Sequence, residues 1–342
     1  METIWFCLVA IMIAGYVVLD GFDLGTGFAH LFIARTDRER GAIISTVGPV
    51  WDGNEVWLLA GGGTLYFAFP ALYSASFSGF YLALMMVLWL LILRGVSVEI
   101  RGHVDSGLWR AFWDFVFGAS SAVLCLLFGV ALGNVIRGVP LDSSGYFFIP
   151  LWTNFQPGQF AGIIDWYTVL IGIASFAALA LHGCLWIALK TSGNLRERCQ
   201  LAARRWWWVV VLMTIIITAL SFRLQPHLAQ QFSDYPFGFV FPAIALAGLA
   251  GTFWFSRSGG DRNAFLSSCA YLLGMLTSVV FGVYPYVLPA NTGAEYSLNI
   301  WNAAAPHYGL MVGLWWWIPG VILAIAWSAF VYHRFAGRVS AD

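Results

Sequence analysis

The first apolar stretch of the chain contains two carboxylates, Asp20 and Asp23, within the sequence GYVVLDGFDLGTG. Asp23 precedes Arg35, the first basic residue after the stretch, by 12 residues. At about 1.5 Å of rise per residue, a helix would place the two carboxylates roughly 18 to 22 Å from that end. An aspartate at the middle of a bilayer costs roughly 2.5–3.5 kcal/mol on insertion scales. Such residues face a bundle interior or a water-filled cavity, so both are candidates for a proton or cation pathway.

Helical spacing places two more polar side chains on the face that carries the aspartates. Tyr16, Asp20, Asp23, Gly27 and His30 recur at intervals of 4, 3, 4 and 3 residues, which describes one side of a helix. Tyr16 and His30 are therefore expected to support the polar face. The position of His30 near the end of the stretch also fits an ordinary solvated histidine.

A neighbouring face of the same helix carries Gly21 and Gly25, a GxxxG pattern that allows another helix to approach closely. A purely structural role for the aspartates, in buried hydrogen bonds between helices, therefore stays open. Two carboxylates aligned with a phenol and an imidazole fit a proton or cation pathway better than they fit such packing.

A second acidic pair lies in the sequence GPVWDGNEVW, at the start of the next apolar stretch. Asp52 and Glu55 are three residues apart and share one helix face, and Trp51 and Asn54 are expected to support it. Acids in a first turn complement the helix dipole, which explains Asp52 fully and Glu55, one turn deeper, less well. The two acidic pairs together predict one proton path, with the second pair at its cytoplasmic mouth and the first pair inside.

The composition is that of an integral membrane protein. Hydrophobic residues make up 60% and charged residues 10% of the 342, and the mean hydropathy is +0.77. Soluble domains carry about 25% charged residues. A net charge of zero argues against nucleic-acid binding. Since a helix needs about 20 apolar residues to cross a bilayer, we predict an all-α membrane protein that forms a single polytopic domain over 1–342. The predicted spans are 5–34, 49–70, 75–101, 109–137, 161–191, 201–224, 236–256, 263–288 and 305–334.

The distribution of arginine and lysine predicts the orientation of these nine segments. Basic residues follow the odd-numbered segments, while the loops after the second, sixth and eighth hold almost none. Cytoplasmic loops carry the excess of basic residues. An odd number of spans with this bias puts the N-terminus in the periplasm and the C-terminus in the cytoplasm. The residues counted are Arg35, Arg38, Arg40, Arg94, Arg101, Arg110, Lys190, Arg196, Arg198, Arg204, Arg205, Arg257, Arg262, Arg334 and Arg338.

One histidine, His182, lies in the middle of the fifth segment in the sequence ALALHGCLW, where it could serve as an axial haem ligand. A lone membrane histidine is more often a hydrogen-bonded packing residue, and no second histidine pairs with it on its helix. Direct haem ligation by His182 is therefore the weaker of the two interpretations, and the spacing predicts no metal site.

Four sequence signatures, in order, identify a family. They are GYVVLDGFDLGTG, GPVWDGNEVWLLAGGGTLYFAFP, SFSGFYLAL, and YPYVLP followed by SLNIWNAAAP. They resemble subunit II of the cytochrome bd quinol oxidases, and the nine-segment layout extends the resemblance over nearly the whole chain. The stretch 100–235 matches only in pattern. We therefore expect two four-helix bundles plus one additional helix.

The resemblance implies an enzyme subunit that holds no redox centre itself. The oxidase of this family takes electrons from membrane quinol and reduces O2 to water with protons from the cytoplasm. Its haem b and haem d groups belong to subunit I, with which subunit II forms a heterodimer about a pseudo-twofold axis. The expected location is the bacterial cytoplasmic (inner) membrane. In some members a quinone is a structural ligand of subunit II, and a small single-helix accessory subunit is a further expected partner.

The resemblance also assigns roles to individual acids. Asp52 is the acid of the WDGN motif, which the family implicates in a proton channel at the subunit interface. Glu55 is compatible with the Gln or Glu that usually follows this motif. Asp20 and Asp23, the DGFD acids, carry over as polar interior residues whose role as relay or as structure stays open.

Two other functions remain open at the level of sequence. One is a secondary transporter in which Asp20 and Asp23 bind a coupling ion, as midplane acids and glycine-interrupted helices would allow. Such a transporter should show matching acidic segments in both halves, yet segments five to eight carry only Asp165, near an outer end. The other is a scaffold without a part in proton transfer.

The orientation can be tested with a reporter enzyme fused after Asp342. The arginine bias predicts that a reporter active only in the cytoplasm will be active there. A fusion active in the periplasm would reverse the orientation and would place Asp52 on the wrong side of the membrane for proton uptake.

Overall fold

The computed structural model describes residues 1–339, and helices make up most of it. The last three residues of the predicted domain, 340–342, lie outside this range. The helices are α1 Glu2–Ile33, α2 Asp37–Val47, α3 Trp51–Ala68, α4 Pro70–Gly79, α5 Tyr81–Ile100, α6 Gly107–Arg137, α7 Trp166–Lys190, α8 Gly193–Leu224, α9 Pro226–Asp234, α10 Val240–Ser258, α11 Asp261–Val283 and α12 His307–Arg334. Short 3-10 turns occupy Pro236–Phe239 and Ala294–Tyr296.

Within the described residues, eight helices have the length and hydropathy needed to cross a membrane: α1, α5, α6, α7, α8, α10 with the 3-10 turn before it, α11 and α12. Each corresponds to one predicted span. The remaining predicted span, 49–70, is α3, whose 18 residues would reach about 27 Å. It lacks the hydropathy of the others because Asp52, Asn54 and Glu55 occupy its first turns. The chain is a multi-pass membrane protein, in agreement with the prediction of about nine spans.

Helix α8 begins at Gly193, eight residues before its predicted span 201–224. Three other predicted boundaries were wrong for local reasons. The span 75–101 is divided, since α4 ends at Gly79 and α5 begins at Tyr81. A Cβ atom at Gly79 would lie 2.1 Å from the ring of Phe147, which packs into this break. Helix α7 begins five residues late because the carboxylate of Asp165 caps it, accepting the backbone N–H groups of the second and third helical residues. Helix α11 ends at Val283, before a proline.

The helices form two groups with one helix outside them. In the first group, α3 and α6 pack on α1, and α5 packs on α6. In the second group, α8 and α11 pack on α7, and α10 packs on α11. Contacts of α7 with α1 and α6 join the groups. Helix α12 stands outside both, and its indole Trp317 packs edge-on against Trp5 of α1. This arrangement agrees with the expected two four-helix bundles plus one additional helix.

Glycines set the closeness of the two groups where α1 crosses α7. A Cβ atom at Gly25 would lie 1.9 Å from the carbonyl oxygen of Leu179, and one at Gly183 would lie 2.2 Å from the carbonyl carbon of Gly25. The two backbones therefore touch, as the GxxxG pattern at Gly21 and Gly25 predicted. This crossing fixes the α1 face that carries the aspartates relative to the second group.

Short extended segments lie at the end of the structure where α6 ends and α7 begins. Strands β1 Tyr286–Leu288 and β2 Leu298–Asn299 pair antiparallel. Arg137 at the end of α6 forms a buried ion pair with Asp165, the residue that caps α7. Asp165 therefore has a structural role at the start of α7, as ion-pair partner and as helix cap.

The substitution Gly25→Ala should strongly reduce the amount of folded protein in membranes and lower its thermal unfolding midpoint. The added methyl group would meet rigid backbone of α7, and overpacking of a well-packed contact typically costs about 1–3 kcal/mol or more.

Gly61→Ala in α3 provides the matched control, since its Cβ would lie at ordinary contact distance, 3.6 Å from Met12. Equal unfolding midpoints for the two variants would contradict the close crossing of α1 and α7.

Candidate functional site

The centre of the polar site is Arg94 of α5, a fully buried arginine. Its side chain is 1% exposed, and its Nη1 donates a hydrogen bond to Oδ1 of Asp20 on α1 at 2.5 Å. Its Nη2 lies 3.2 Å from Oε2 of Glu55 on α3. The guanidinium therefore joins α1, α3 and α5 through two carboxylates. Asp20 is completely buried, whereas the side chain of Glu55 is 22% exposed.

The second aspartate, Asp23, is held by an amide instead of a guanidinium. Nδ2 of Asn54 donates hydrogen bonds to Oδ2 of Asp23 at 2.7 Å and to the carbonyl of Leu19 at 3.2 Å. The hydroxyl of Tyr332 on α12 donates to Oδ1 of Asn54 at 2.6 Å. The other carboxylate oxygen of Asp23 is buried and has no hydrogen-bond partner among the described residues. Asn54, which we predicted as a supporting residue, is thus the direct partner of Asp23.

These residues form a cluster, the Arg94 cluster, that consists of Asp20, Asp23, Asn54, Glu55 and Arg94. It contains three carboxylates and one guanidinium, so full ionisation would leave two uncompensated negative charges. An uncompensated charge inside a protein costs several kcal/mol. The cluster is therefore suited to hold an exchangeable proton or another cation, which is the chemistry of a relay.

Asp52 does not join this cluster. It lies on the exposed side of α3, and its one hydrogen bond within residues 1–339 comes from the neighbouring backbone N–H of Gly53 at 2.8 Å. Three of the four predicted pathway acids are thus assembled around Arg94, and the fourth stands one turn away on the surface. Trp51 packs against Gly95, donates to Glu99 at 3.1 Å, and so covers the helix face beside Arg94.

Both residues predicted to support the polar face of α1 are buried. Tyr16 is 3% exposed, and its hydroxyl has no hydrogen-bond partner within the described chain. His30 is fully buried, so the interpretation as a solvated histidine was wrong. Its Nδ1 donates to the carbonyl of Gly27 at 2.6 Å, and its Nε2 lies 3.4 Å from Oδ1 of Asp114 on α6.

Asp114 is the centre of a second ionic cluster at the ends of α5 and α6. Arg101 donates to it through Nε at 2.5 Å and Nη2 at 3.1 Å, and Arg40 lies 3.6 Å away. Arg101 also binds Asp37, whose side chain is 53% exposed. This cluster anchors the segment after α1 and leads from buried His30 to the protein surface.

His182 is engaged by the protein on both sides of its ring. Its Nε2 donates to the carbonyl of Val18 at 3.0 Å, and its Nδ1 lies 2.7 Å from the hydroxyl of Ser268. The ring stacks on Phe265 with centroids 4.7 Å apart. Coordination of iron would require one of these hydrogen bonds to break, so the structure favours the packing interpretation. Residues 1–339 contain no group of three or more His, Cys, Asp or Glu placed to hold a metal ion.

Two site residues could have been found from the sequence. Arg94 is one of the basic residues from which the sequence predicts cytoplasmic loops, but it is buried within α5. The signal is the position of Arg94, six residues before the end of an apolar run. A basic residue inside such a run is a candidate cation for the buried aspartates of α1. Asp114 was a similar case, since it is a lone acid within an apolar segment.

The substitution Arg94→Gln should destabilise the protein more than removal of a surface arginine. It leaves Asp20 and Glu55 without their cation, and breaking a buried ion pair costs about 3–5 kcal/mol. We expect a lower thermal unfolding midpoint for this variant. The double variant with Asp20→Asn should unfold at a higher temperature than Arg94→Gln alone, because it no longer carries the unpaired carboxylate of Asp20.

The control is Arg110→Gln, which breaks pairs of Arg110 with partly or fully exposed aspartates and should cost about 1 kcal/mol or less. If both single variants unfold at the same temperature, the Arg94 pair does not stabilise the fold as described.

Comparison with known proteins identifies the family. The family described as cytochrome bd terminal oxidase subunit II matches residues 1–335. A Haemophilus influenzae protein called probable cytochrome oxidase subunit 2 is 32% identical, over 99% of this chain and 95% of its own length. The cytochrome bd ubiquinol oxidase subunit 2 of Bacillus subtilis is 30% identical, over 98% of this chain and 96% of its own. Cytochrome bd-I ubiquinol oxidase subunit 2 of Escherichia coli is 28% identical over 99% and 95%.

The fold agrees with these relationships. A chain in the structure of bd oxidase from Geobacillus thermodenitrificans superimposes with a TM-score of 0.77 over 98% of both chains, at 16% sequence identity. That likeness concerns the fold alone, while the sequence matches extend from the first residue nearly to the last. On this basis the chain belongs to the family of cytochrome bd terminal oxidase subunit II, and it is a component of a terminal quinol oxidase complex.

Proposed function

We propose that this chain stabilises a haem-bearing subunit I and carries protons from the cytoplasm towards the site of O2 reduction. The observation that supports the proposal is the excess of carboxylates in the Arg94 cluster, where Asp20 and Glu55 share one guanidinium and Asp23 is bound only by the amide of Asn54. Acidic residues placed in this way inside membrane segments mark proton relays. Reduction of O2 to water consumes one proton for every electron, so a steady supply is required.

The direction of proton supply follows from the side on which basic residues collect. The ends of α1, α7 and α12 meet there, since Arg198 binds Glu39 after α1, and Lys190 at the end of α7 binds the carbonyl of Gly337 after α12. From the positive-inside tendency we assign this side to the cytoplasm. The proposed location is the bacterial cytoplasmic (inner) membrane, with the N-terminus in the periplasm and the C-terminus in the cytoplasm.

Asp52 is proposed as the acid at the cytoplasmic mouth, on the surface that meets subunit I. The exposed positions of α3 repeat every three or four residues from Asp52 through Val56, Leu59 and Gly63 to Tyr66. A carboxylate that faced lipid at the edge of this stripe would be poorly solvated, whereas a protein partner can supply donors and water. Glu55 lies one turn deeper than Asp52, and as a member of the Arg94 cluster it connects this mouth to the buried aspartates.

The cofactors and further partners of the complex follow from the same proposal. Haem b and haem d are assigned to subunit I, because His182, the one mid-helix histidine considered as a ligand, is already hydrogen-bonded on both ring nitrogens. Membrane quinol is the electron donor that acts on the complex. A quinone as structural ligand of this chain and a small single-helix accessory subunit complete the proposed assembly.

The substitution Asp52→Asn tests the relay directly, since it keeps the shape of the side chain and removes the proton that it can carry. Assembly and haem content should survive, because among residues 1–339 Asp52 is bonded only to the backbone N–H of its neighbour Gly53. Oxygen uptake per haem should fall about tenfold for each 1.36 kcal/mol added to the limiting barrier, and Asp52→Glu should restore part of it. Unchanged uptake in Asp52→Asn would remove this residue from the mechanism.

Variants of the two inner aspartates provide the comparison. Asp20→Asn should reduce the amount of assembled complex, because it leaves Arg94 without its closest anion. Asp23→Asn keeps a hydrogen-bonding group beside Asn54 and should lower oxygen uptake per haem more than it lowers assembly. Both quantities must be measured separately. If Asp23→Asn and Asp52→Asn both keep full uptake per haem, the chain is a scaffold without a part in proton transfer.

A further inference from the structure

A small cavity lies at the cytoplasmic end of the structure, behind the last described residues. Its open space is about 70 Å³. A cavity needs at least about 10–15 Å³ of such space to hold a water molecule, so this one has room for water. The walls combine apolar groups with hydroxyl, ammonium and phenol groups, and polar walls are the condition for stable water. The lining residues include Ser45, Thr46, Lys190 and Tyr332, together with Gly337 and Val339 after α12.

The outer wall of this cavity is held in place by Lys190. Its ammonium group donates to the carbonyl oxygens of Phe335 and of Gly337, the latter at 3.1 Å. The backbone N–H of Val339 donates in return to the carbonyl of Lys190 at 2.7 Å. The segment 335–339 is therefore fastened over the cavity at one lysine, although it forms no helix or strand.

The inner wall leads to the Arg94 cluster. Tyr332 lines the cavity, and its hydroxyl donates to Oδ1 of Asn54 at 2.6 Å. Nδ2 of the same amide donates to Asp23 at 2.7 Å. The chain Tyr332–Asn54–Asp23 is thus continuous from the cavity to a buried carboxylate, whose second oxygen lacks a partner within the described residues.

We infer that this cavity is a water-filled vestibule through which cytoplasmic protons reach Asp23, with Tyr332 at its inner end and residues 335–339 as its lid. The inference rests on the proposed function, because it names an entrance to the same acidic cluster, separate from Asp52. A hydronium ion in the vestibule passes its proton along water that reaches past Tyr332 to a carboxylate oxygen of Asp23, and a neutral water molecule remains in the vestibule.

Tyr332 and Asn54 act in this step as positioning residues. An amide N–H is not acidic enough to pass the proton on, so Asn54 holds Asp23 towards the vestibule and does not carry the proton itself. The Tyr332 hydroxyl fixes the Asn54 amide through its hydrogen bond to Oδ1, and the amide in turn fixes the Asp23 carboxylate. Loss of that hydroxyl would leave Asp23 misplaced for proton transfer from vestibule water.

The presence of water can be tested with silver ion on the intact complex, without turnover. Silver ion is small enough to follow water and binds thiolates, which form where water stabilises them. Thr46→Cys places a thiol in the vestibule wall. Val47→Cys is the matched control, since Val47 is the next residue, is fully buried, and does not line the cavity. The remaining free thiol is counted by mass spectrometry after unfolding and alkylation, with the parent complex as background.

We expect the cysteine at position 46 to react at least tenfold faster than the cysteine at position 47. Lys190→Met in the first variant should accelerate the reaction further, because the lid loses the donor that fastens it. Equal rates at positions 46 and 47 would show that the cavity is dry and would overturn the inference.

Delivery to Asp23 is tested separately by Tyr332→Phe, which removes the hydroxyl and keeps the ring. We expect oxygen uptake per haem to fall at least threefold, with an unchanged KM for quinol and a larger solvent deuterium isotope effect on kcat. Tyr271→Phe is the control, because Tyr271 is another buried membrane tyrosine, bonded to Thr214 at 2.7 Å. It should retain normal uptake and isotope effect.

The outcomes separate this inference from the proposed function. Impaired uptake in Asp23→Asn with normal uptake in Tyr332→Phe would leave Asp23 in the relay and overturn the vestibule as its source. Full uptake in both Asp23→Asn and Asp52→Asn would overturn the proposed function, and the vestibule could then be water-filled without serving a proton pathway.

Discussion

The ion pair between Arg94 and Asp20 is the interaction on which the polar interior of this protein depends. Both side chains are buried, at 1% and 0% exposure, within helices that otherwise suit a lipid environment. Neither charge is tolerable alone in that setting, and together they fix α5 against α1. The pair also determines which groups remain available to bind the other two acids. Glu55 takes the second arm of the guanidinium, and Asp23, left without a cation, is bound by Asn54.

Close packing elsewhere allows this polar cluster to exist. At the crossing of α1 and α7, the glycines at 25 and 183 bring two backbones into contact. The face of α1 that bears the aspartates is thereby turned away from α7, towards α3, α5 and α6. Two further polar clusters, around Asp114 and around the Arg137–Asp165 pair, lie near opposite ends of α6. The helix group is thus fastened at both ends, with the carboxylate-rich cluster between them.

Much of this arrangement was predictable from spacing. Residues 16, 20, 23 and 30 share a face, and all four are buried, because helical periodicity holds whatever the neighbouring helices are. The family was predicted from four motifs, and membership replaces the transporter alternative. Spacing could not show which residues from other helices meet that face. Arg94 lies 74 residues from Asp20, and Tyr332 lies 278 residues from Asn54. A basic residue inside an apolar run indicates that Arg94 needs a buried anion, but which helix supplies that anion depends on the packing of whole helices.

The position of Arg94 also bears on how the chain enters the membrane. Synthesis proceeds from the N-terminus, so α1 reaches the bilayer 74 residues ahead of the arginine that neutralises Asp20. During that interval α1 carries two aspartates without their partner, at roughly 2.5–3.5 kcal/mol each on insertion scales. Helix α5 carries the opposite charge, since burial of Arg94 in the membrane is unfavourable unless α1 already supplies its carboxylate. Helices α1 and α3 therefore have reason to remain beside the insertion machinery until α5 arrives, and the three helices to move into lipid as one unit.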